Sequence, residues 1–117
     1  MRYLALIYTD ETAWEALSED ERKSIHDRYA AFSREASDKI VGGAETAGTR
    51  SATTVRVRDG ETRVTDGPFE ALAEPLGGFY VFDCESTDEA VALAARIPGA
   101  QTGAVEVWPA YVEAEKP

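Results

Sequence analysis

Residues 64–83, VTDGPFEALAEPLGGFYVFD, decide the fold, because they join the end of one predicted strand to the start of another through a loop. Pro68 fixes its own φ angle and keeps Gly67 out of the helical region, while Gly67 can adopt backbone angles closed to other residues. The chain therefore turns sharply after Asp66. The glycine pair at 77–78 then leads into an aromatic strand and indicates a β-bulge or a close backbone approach.

The carboxylate of Asp66 has two interpretations at this turn. It caps free N–H groups of the turn in an Asx-type arrangement, or it faces a cavity as a base or as an anchor for a ligand. Asp before Gly-Pro is a common turn former, so the structural interpretation needs no ligand. The second interpretation makes Asp66 a candidate catalytic residue.

The strands on either side of this stretch are apolar on both faces. This holds for the first strand, residues 2–8, and for the strand predicted at 79–84, where Tyr80 points away from its two neighbours. A strand with one wet face alternates apolar with polar residues, so this pattern requires cover on both sides. In the last predicted strand, residues 104–108, Glu106 shares a face with Trp108.

Three helices are predicted from capping patterns and apolar spacing, the first of them a short one at 10–16. Each has a residue pair with the spacing of a capping box: Thr12 and Glu15, Ser18 and Glu21, Ser86 and Glu89. The long second helix has an apolar stripe at Ile25, Tyr29, Phe32, Ala36 and Ile40, and the third has one at Ala90, Leu93, Ala94 and Ile97. Gly42 and Gly43 are expected to end the helical region before a short strand at 44–47.

A β-hairpin is predicted at residues 52–65. Asp59-Gly60 is a strong two-residue turn signal, and it places Arg56 directly opposite Arg63. Like charges across two strands repel, so this face lies in solvent or at an interface near carboxylates, or it binds an anion.

The order of these elements predicts an α+β fold of the ferredoxin-like, split βαβ type with an extra β-hairpin. Both long helices then cover one face of an antiparallel sheet and leave the other face bare. A monomer would expose a larger apolar patch than soluble monomers usually tolerate, so we expect a homodimer whose sheets pack face to face. A cavity in such a dimer would be lined by whichever of four residues point inward: Tyr8, Tyr80, Glu106 and Trp108. Packing in the core or at the interface is their alternative role.

His26 is the only histidine and lies one residue off the helical stripe, on the side of Tyr29. Its side chain is the one naturally poised to gain or lose a proton near neutral pH, which makes it a second candidate catalytic residue. A histidine at the surface or at the rim of a pocket is the alternative, because the sequence does not place an acid–base partner beside it.

Composition indicates one domain over residues 1–117, with 111–117 as a mobile tail or a segment that docks on a partner. A net charge of −10 argues against binding to nucleic acid or an anionic membrane, because both need clustered positive charge. The single Cys84 cannot form an intramolecular disulfide, and no His and Cys cluster has metal-ligand spacing, so we expect neither metal nor cofactor. The first apolar run is too short for a signal peptide core, and we expect a cytoplasmic protein.

The Asp66-Gly67-Pro68-Phe69 run, followed by LGGFY at 76–80, resembles the signature of the DGPF group of the YCII-related family. Four further stretches also resemble that group: 2–8, 52–65, 94–98 and 105–107. The resemblance implies a ferredoxin-like α+β fold that dimerises into a barrel, in a family whose biochemical role is mostly unsettled. One departure concerns a charged Glu and Lys of the family, which Ala71 and Ala73 replace here.

Two functions follow from these observations. The first is a small-molecule-binding barrel that acts as a cofactor-free acid–base enzyme on a small cyclic or aromatic acid, by analogy with proteins of this architecture. The second is a non-catalytic dimeric binding or regulatory module, for which the resemblance implies an extracytoplasmic-function sigma factor as a partner. No Gly-rich phosphate loop or Gly-x-Ser-x-Gly elbow is present, which argues against nucleotide and serine-hydrolase chemistry.

Overall fold

The computed structural model describes residues 1–111, so most of the predicted tail, residues 112–117, lies outside the described part of the chain. In chain order the elements are β1 (Arg2–Tyr8), α1 (Glu11–Glu15), α2 (Glu19–Glu35), β2 (Ile40–Glu45), β3 (Thr53–Arg58), β4 (Glu61–Asp66), β5 (Leu76–Asp83), α3 (Thr87–Ala94) and β6 (Ala104–Pro109), with 3₁₀ turns at Thr49–Ser51 and Pro98–Ala100. None of the helices between residues 1 and 111 combines the length and the hydrophobicity that a transmembrane span requires.

Four strands form the main sheet in the order β2-β5-β1-β6, and every neighbouring pair is antiparallel. The two central strands, β1 and β5, are the two that the sequence marks as apolar on both faces. The helices α2 and α3 pack on one face of this sheet, as the shared core cluster shows. The predicted α+β, ferredoxin-like fold with an extra hairpin is confirmed.

The core lies between this face and the two long helices. Its buried side chains are Tyr3, Ala5, Ile7, Phe32, Ala36, Phe82, Cys84, Ala90, Leu93, Ala94 and Ile97. Phe82 has no exposed surface, stacks on Tyr80 at 5.7 Å between ring centroids and meets Phe32 edge-on at 6.3 Å. Burial of one such aromatic side chain stabilises the fold by roughly 2–3 kcal/mol, so this cluster fixes how α2 lies on the sheet.

The predicted start of α2 is confirmed. The Ser18 hydroxyl accepts a hydrogen bond from the N–H of Glu21 at 3.1 Å, and the Glu21 carboxylate accepts one from the N–H of Ser18 at 3.0 Å. Both bonds of the capping box therefore form, and each satisfies a backbone donor that a helix start leaves free.

The other two caps differ from the predicted boxes. Asp10 caps α1 through bonds from the N–H groups of Thr12 and Ala13, because this helix begins at Glu11 and Thr12 already lies in its first turn. The box predicted for Thr12 is therefore wrong. Ser86 caps α3 as predicted. The Glu89 carboxylate, however, accepts from the N–H of Glu85, so only half of that box forms.

Gly42 and Gly43 do not end a helix, which corrects the prediction for this segment. The helix α2 already ends at Glu35, and both glycines lie inside β2. A side chain at Gly43 would place its Cβ 2.6 Å from the carbonyl oxygen of Phe79 in the next strand. The glycine therefore serves a close approach between strands, which the sequence alone does not distinguish from a helix stop.

The strand β5 starts at Leu76, three residues before the predicted start, because the glycine pair at 77–78 joins the sheet. The register between β1 and β5 shifts between Ile7 and Tyr8, opposite these glycines. This irregularity confirms the predicted bulge.

The strands β3 and β4 form a separate two-stranded sheet with the predicted register, including Arg56 opposite Arg63. Asp59 and Gly60 at its tip have φ angles of 53° and 78°. Two consecutive positive φ angles are typical of the type I′ turn, whose twist matches that of the strands.

Candidate functional site

The main sheet has two different faces, and the predicted site residues are divided between them. Tyr80 pairs with the buried Ala5, so it lies on the face that the helices cover. Glu106 pairs with Leu6, and Trp108 pairs with Leu4, on the opposite, open face. The four predicted lining residues therefore do not meet in one cavity of a single chain.

On the open face, Glu106 lies between an indole and a phenol. Its Oε1 accepts a hydrogen bond of 2.6 Å from Nε1 of Trp108. The pKa of the Tyr8 hydroxyl is raised, first by burial and then by the negative charge of Glu106 and a hydrogen bond with it. These three residues form one polar group on an otherwise apolar surface.

On the helix side, a cleft of about 590 Å³ opens between α1, the first half of α2 and the ends of β1, β2 and β5. Its apolar lining includes Ile7, Trp14, Leu17, Ile25 and Pro98, and its polar lining includes His26, Arg28, Tyr29, Glu45 and Tyr80. The glycine pair at 77–78, together with Gly43 and Ala44, also lines the cleft. A size of roughly 300–1,000 Å³ and an apolar wall with few polar groups are typical of small-molecule sites.

Tyr29 is held in this cleft by the 3₁₀ turn Pro98–Ala100. Its hydroxyl oxygen accepts a hydrogen bond of 3.1 Å from the N–H of Gly99. A Cβ at Gly99 would lie 2.7 Å from that oxygen, so only glycine permits the contact. Among residues 1–111, no acceptor receives the hydroxyl hydrogen of Tyr29.

The pKa of Tyr29 is raised, chiefly by burial, and the charge of Glu45 adds to the effect. The phenol is therefore neutral near pH 7 and keeps a hydrogen that can be donated to a bound molecule. The sequence placed Tyr29 only in the packing stripe of α2. Its spacing of three residues from His26, which puts both on one side of the helix, is the signal that links it to the site.

His26 lies exposed at the rim of the cleft. Its ring meets the ring of Trp14 edge-on, with 5.3 Å between centroids and 85° between planes. The structure thus places the predicted acid–base residue next to the cleft, at the rim position that the alternative interpretation gave it. Beside it, Arg28 donates a hydrogen bond of 2.9 Å to Oε1 of Gln101.

The carboxylates of the cleft differ in how they are engaged. Asp10 caps α1, and Glu11 accepts two bonds of 2.8 Å from the N–H and the hydroxyl of Thr49. The carboxylate of Glu45, at the end of β2, has no hydrogen bond or ion pair with any residue between 1 and 111, whereas its backbone pairs with Gly78 of β5. Sequence reasoning missed Glu45, because its strand was placed at 44–47 without a face.

Asp66 lies elsewhere, as the exposed last residue of β4 opposite Thr53. It is not part of the cleft lining. The turn after it is held by a bond from the Gly67 N–H to the Ala52 carbonyl and by one from the Thr54 hydroxyl to the Gly67 carbonyl, each 2.8 Å. Within the described chain, the Asp66 carboxylate makes no hydrogen bond, so the structure neither joins it to His26 nor uses it as a cap.

Ala71 and Ala73, at the departures from the family pattern, border a second and shallower depression of about 350 Å³ beside α1.

As for metals, the side chains of residues 1–111 bring together no group of three or more His, Cys, Asp or Glu that could hold an ion.

The sequence model of the YCII-related domain matches residues 1–112. The chain belongs to the YCII-related family. The chain is also 38% identical to an uncharacterised protein from Rhizobium meliloti (strain 1021) over 113 residues, which cover 93% of this chain and 91% of that protein.

Among solved structures, the YCII-related protein is similar to a 5-chloro-2-hydroxyhydroquinone dehydrochlorinase from Burkholderia phenoliruptrix AC1100, solved in complex with 2,5-dihydroxybenzoquinone. The TM-score is 0.55 at 18% identity, and the match covers 95% of this chain and 94% of the other. This similarity shows a common α+β fold over almost the whole chain.

Proposed function

We propose that the YCII-related protein binds a small cyclic or aromatic molecule in the cleft beside Tyr29 and acts on it by cofactor-free proton transfer. The observation that carries the proposal is the hydroxyl of Tyr29, which is held by Gly99 at 3.1 Å and has no acceptor for its own hydrogen between residues 1 and 111. Because this hydroxyl lines the cleft, its hydrogen is available to a molecule that binds there. A ligand oxygen that accepts this hydrogen gains a hydrogen bond that fixes its position in the cleft.

The chemistry of the lining favours a ring with an apolar body. Trp14, Ile7 and Tyr80 supply aromatic and aliphatic surface, which buries a ring, while the polar groups lie at a few positions only. His26 and Arg28 bring positive charge or proton-donating capacity to the rim, where a ligand carboxylate or phenolate is stabilised. A small ring that carries acidic or hydroxyl oxygens fits both parts of this lining.

Proton transfer is assigned to groups that line the cleft. His26 accepts or returns a proton at the rim, and Glu45 is the second available base. Tyr29 donates a hydrogen bond to the ligand oxygen on which negative charge develops. Asp66, predicted from the sequence as a catalytic residue, lies outside this lining and takes no part in this proton transfer.

The solved relative supplies suitable first probes. That dehydrochlorinase was captured with 2,5-dihydroxybenzoquinone, a single ring with oxygens around its edge. The same compound and salicylate, a small aromatic acid, can be titrated calorimetrically into the wild-type protein at millimolar concentration. Absence of binding for both probes would contradict the proposal.

The matched variants are Tyr29→Phe and Tyr80→Phe, because both tyrosines line the cleft and each loses only its hydroxyl. We expect Tyr29→Phe to weaken binding roughly tenfold, which corresponds to the loss of one hydrogen bond to a charged oxygen. Tyr80→Phe is the control, because its hydroxyl already bonds to that of Ser33 at 3.1 Å. Equal loss in both variants would contradict the role of Tyr29.

A homodimer is the second part of the proposal. The open face carries apolar side chains that are only partly buried in one chain: Leu4, Leu6, Tyr8, Phe79 and Val81, together with the exposed Trp108. A second copy, packed sheet to sheet, removes this surface from water and encloses the group around Glu106. Sedimentation that shows a monomer at tens of micromolar would contradict the dimer.

Binding without turnover is the alternative function, and the exposure of His26 favours it, since a catalytic base is usually shielded and oriented by a partner. Ring compounds would then bind to the protein and be recovered chemically unchanged after the titration. The sigma-factor partner stays a prediction, and a pull-down from the native host tests it.

A further inference from the structure

The hairpin of β3 and β4 extends from the body of the molecule as an arm, residues 53–66. Its strands pair with each other and barely touch the other elements. Every residue of β4 is exposed, and so is every residue of β3 except Thr54. The arm contributes to a radius of gyration of 16.3 Å, where a compact chain of this length has about 13 Å.

One face of the arm is apolar. Val55, Val57 and Val64 are 59%, 57% and 64% exposed, and Val55 lies directly opposite Val64. An apolar face of β-branched side chains on a strand pair usually packs against another surface. In the arm, all three valines of this face are exposed to solvent instead. An isolated two-stranded hairpin is only marginally stable in water, so cover would also stabilise the arm itself.

The other face is basic. Arg56, Arg58 and Arg63 lie on it, and none of them forms an ion pair with a carboxylate of residues 1–111. Arg56 instead stacks on the ring of Phe69, with 4.5 Å between the guanidinium carbon and the centroid. The charges on this face are therefore available to a negatively charged partner.

We propose that the arm packs against the body of a second copy of the chain. Residues 53–66 contain three arginines and three carboxylates, so the arm is neutral as a whole and the formal charge of −10 lies on the rest of the chain. A neutral arm with one basic face is complementary to that acidic body. In a two-fold dimer the contact forms twice, and each copy supplies both the arm and the surface that receives it.

This inference deepens the homodimer of the proposed function by adding a second surface, and the test separates the two. The arm variant is the triple substitution Val55→Thr, Val57→Thr and Val64→Thr, which keeps the β-branched shape and lowers only apolarity. The control is Val91→Thr on α3, which is 51% exposed and lies outside the arm. The dimer dissociation constant is measured by analytical ultracentrifugation.

We expect the arm variant to raise the dissociation constant at least tenfold and the control to change it less than twofold. A second variant, Leu6→Glu, disrupts the open sheet face instead. If Leu6→Glu dissociates the dimer while the arm variant leaves it intact, the arm proposal is overturned and the sheet-to-sheet dimer stands. A wild-type monomer at tens of micromolar overturns both.

The basic face has its own test. Paired substitution Arg56→Gln and Arg63→Gln is expected to weaken the dimer and to flatten its dependence on salt, because the arginines face carboxylates of the second copy. A dimer that binds equally tightly at low and high salt, with or without these arginines, overturns the charge complementarity.

Discussion

The two faces of the main sheet are built from the same strands but differ in what they offer. The helix-covered face buries Tyr3, Ala5 and Phe82 and opens into the cleft at one end. The open face carries apolar side chains with one polar group, Glu106 beside Trp108, and no helix among residues 1–111 packs on it. Strand alternation therefore makes two surfaces that differ: one completes the core and lines the cleft, and the other is the surface on which we propose that a second chain packs.

The largest expected effect is a difference in the free energy of unfolding between substitutions on the two faces. Phe82→Ala removes a fully buried ring and should lower the free energy of unfolding by about 3–5 kcal/mol. Val81→Ala, the neighbouring residue on the open face, should lower it by only about 1 kcal/mol in the monomer. Urea unfolding at low protein concentration measures both. Equal losses would show that the open face is packed as tightly as the core.

The next effect is expected where the 3₁₀ turn Pro98–Ala100 lines the cleft. Gly99→Ala places a Cβ 2.7 Å from the Tyr29 hydroxyl and 2.8 Å from Cγ2 of Ile7, so the phenol must move. We expect a stability loss of about 1–3 kcal/mol and a marked loss of affinity for the ring probes. Calorimetry and urea unfolding report the two effects. Gly60→Ala at the hairpin tip, where the added Cβ meets nothing within 4 Å, is the matched glycine control: it should lower stability through its positive φ but leave ring binding unchanged.

A smaller effect distinguishes the tyrosines of the two faces by their titration. The pKa of Tyr8 is raised above 10.0 by burial and by Glu106, so Glu106→Gln should lower it towards that value while burial keeps it above. Tyr29 should titrate unchanged, because Glu106 is not among the groups that shift it. Ultraviolet titration of Tyr8→Phe and Tyr29→Phe backgrounds resolves the two. A shift of both tyrosines would mean that the faces are electrostatically coupled.

The same shifts define a pH window for stability. A tyrosine with a raised pKa in the folded state keeps its proton after the unfolded chain has lost it. Its contribution is therefore complete below the unfolded value of 10.0 and is lost as the pH rises through the folded-state pKa. Unfolding monitored between pH 8 and roughly pH 11 should show a decline that Tyr29→Phe reduces. An unchanged decline in that variant would assign it to other groups.

The smallest expected effect concerns Asp66. Asp66→Asn should change stability by less than about 0.5 kcal/mol and leave ring binding unchanged, because its carboxylate is exposed and makes no bond within residues 1–111. His26→Asn, at the cleft rim, should reduce turnover of any ring substrate without loss of stability. An activity lost with Asp66→Asn and kept with His26→Asn would move the site away from the cleft.

The sequence predicts those features that depend on local chemistry. The Ser18 box, the register of the 53–66 arm and the two-sided apolar pattern of β1 are set by neighbouring residues along the chain, and the structure confirms them. The role of Gly42 and Gly43 is different. Glycine ends a helix or lets two strands approach closely, and the choice depends on Phe79, which lies 36 residues after Gly43 in the chain.

The cleft was beyond sequence reasoning for a similar reason. The alternation of side chains along a strand places Tyr8 on one face of β1 and Tyr80 on one face of β5. It does not show which of these faces the helices cover. Tyr29 gains its position from Gly99, which is distant in sequence and contacts it only after α2 packs on the sheet. Glu45 likewise joins the cleft only because β2 pairs at the edge of β5. A site that arises from three separate elements leaves no single motif.

The most direct test of this account is to map where a ring compound binds by two-dimensional NMR during titration with 2,5-dihydroxybenzoquinone. We expect shift changes to concentrate around His26, Tyr29, Glu45 and Gly99, and to require a roughly tenfold higher ligand concentration in the Tyr29→Phe variant. Changes confined to Tyr8, Glu106 and Trp108 would contradict it, because they would place the ligand on the open face of the sheet.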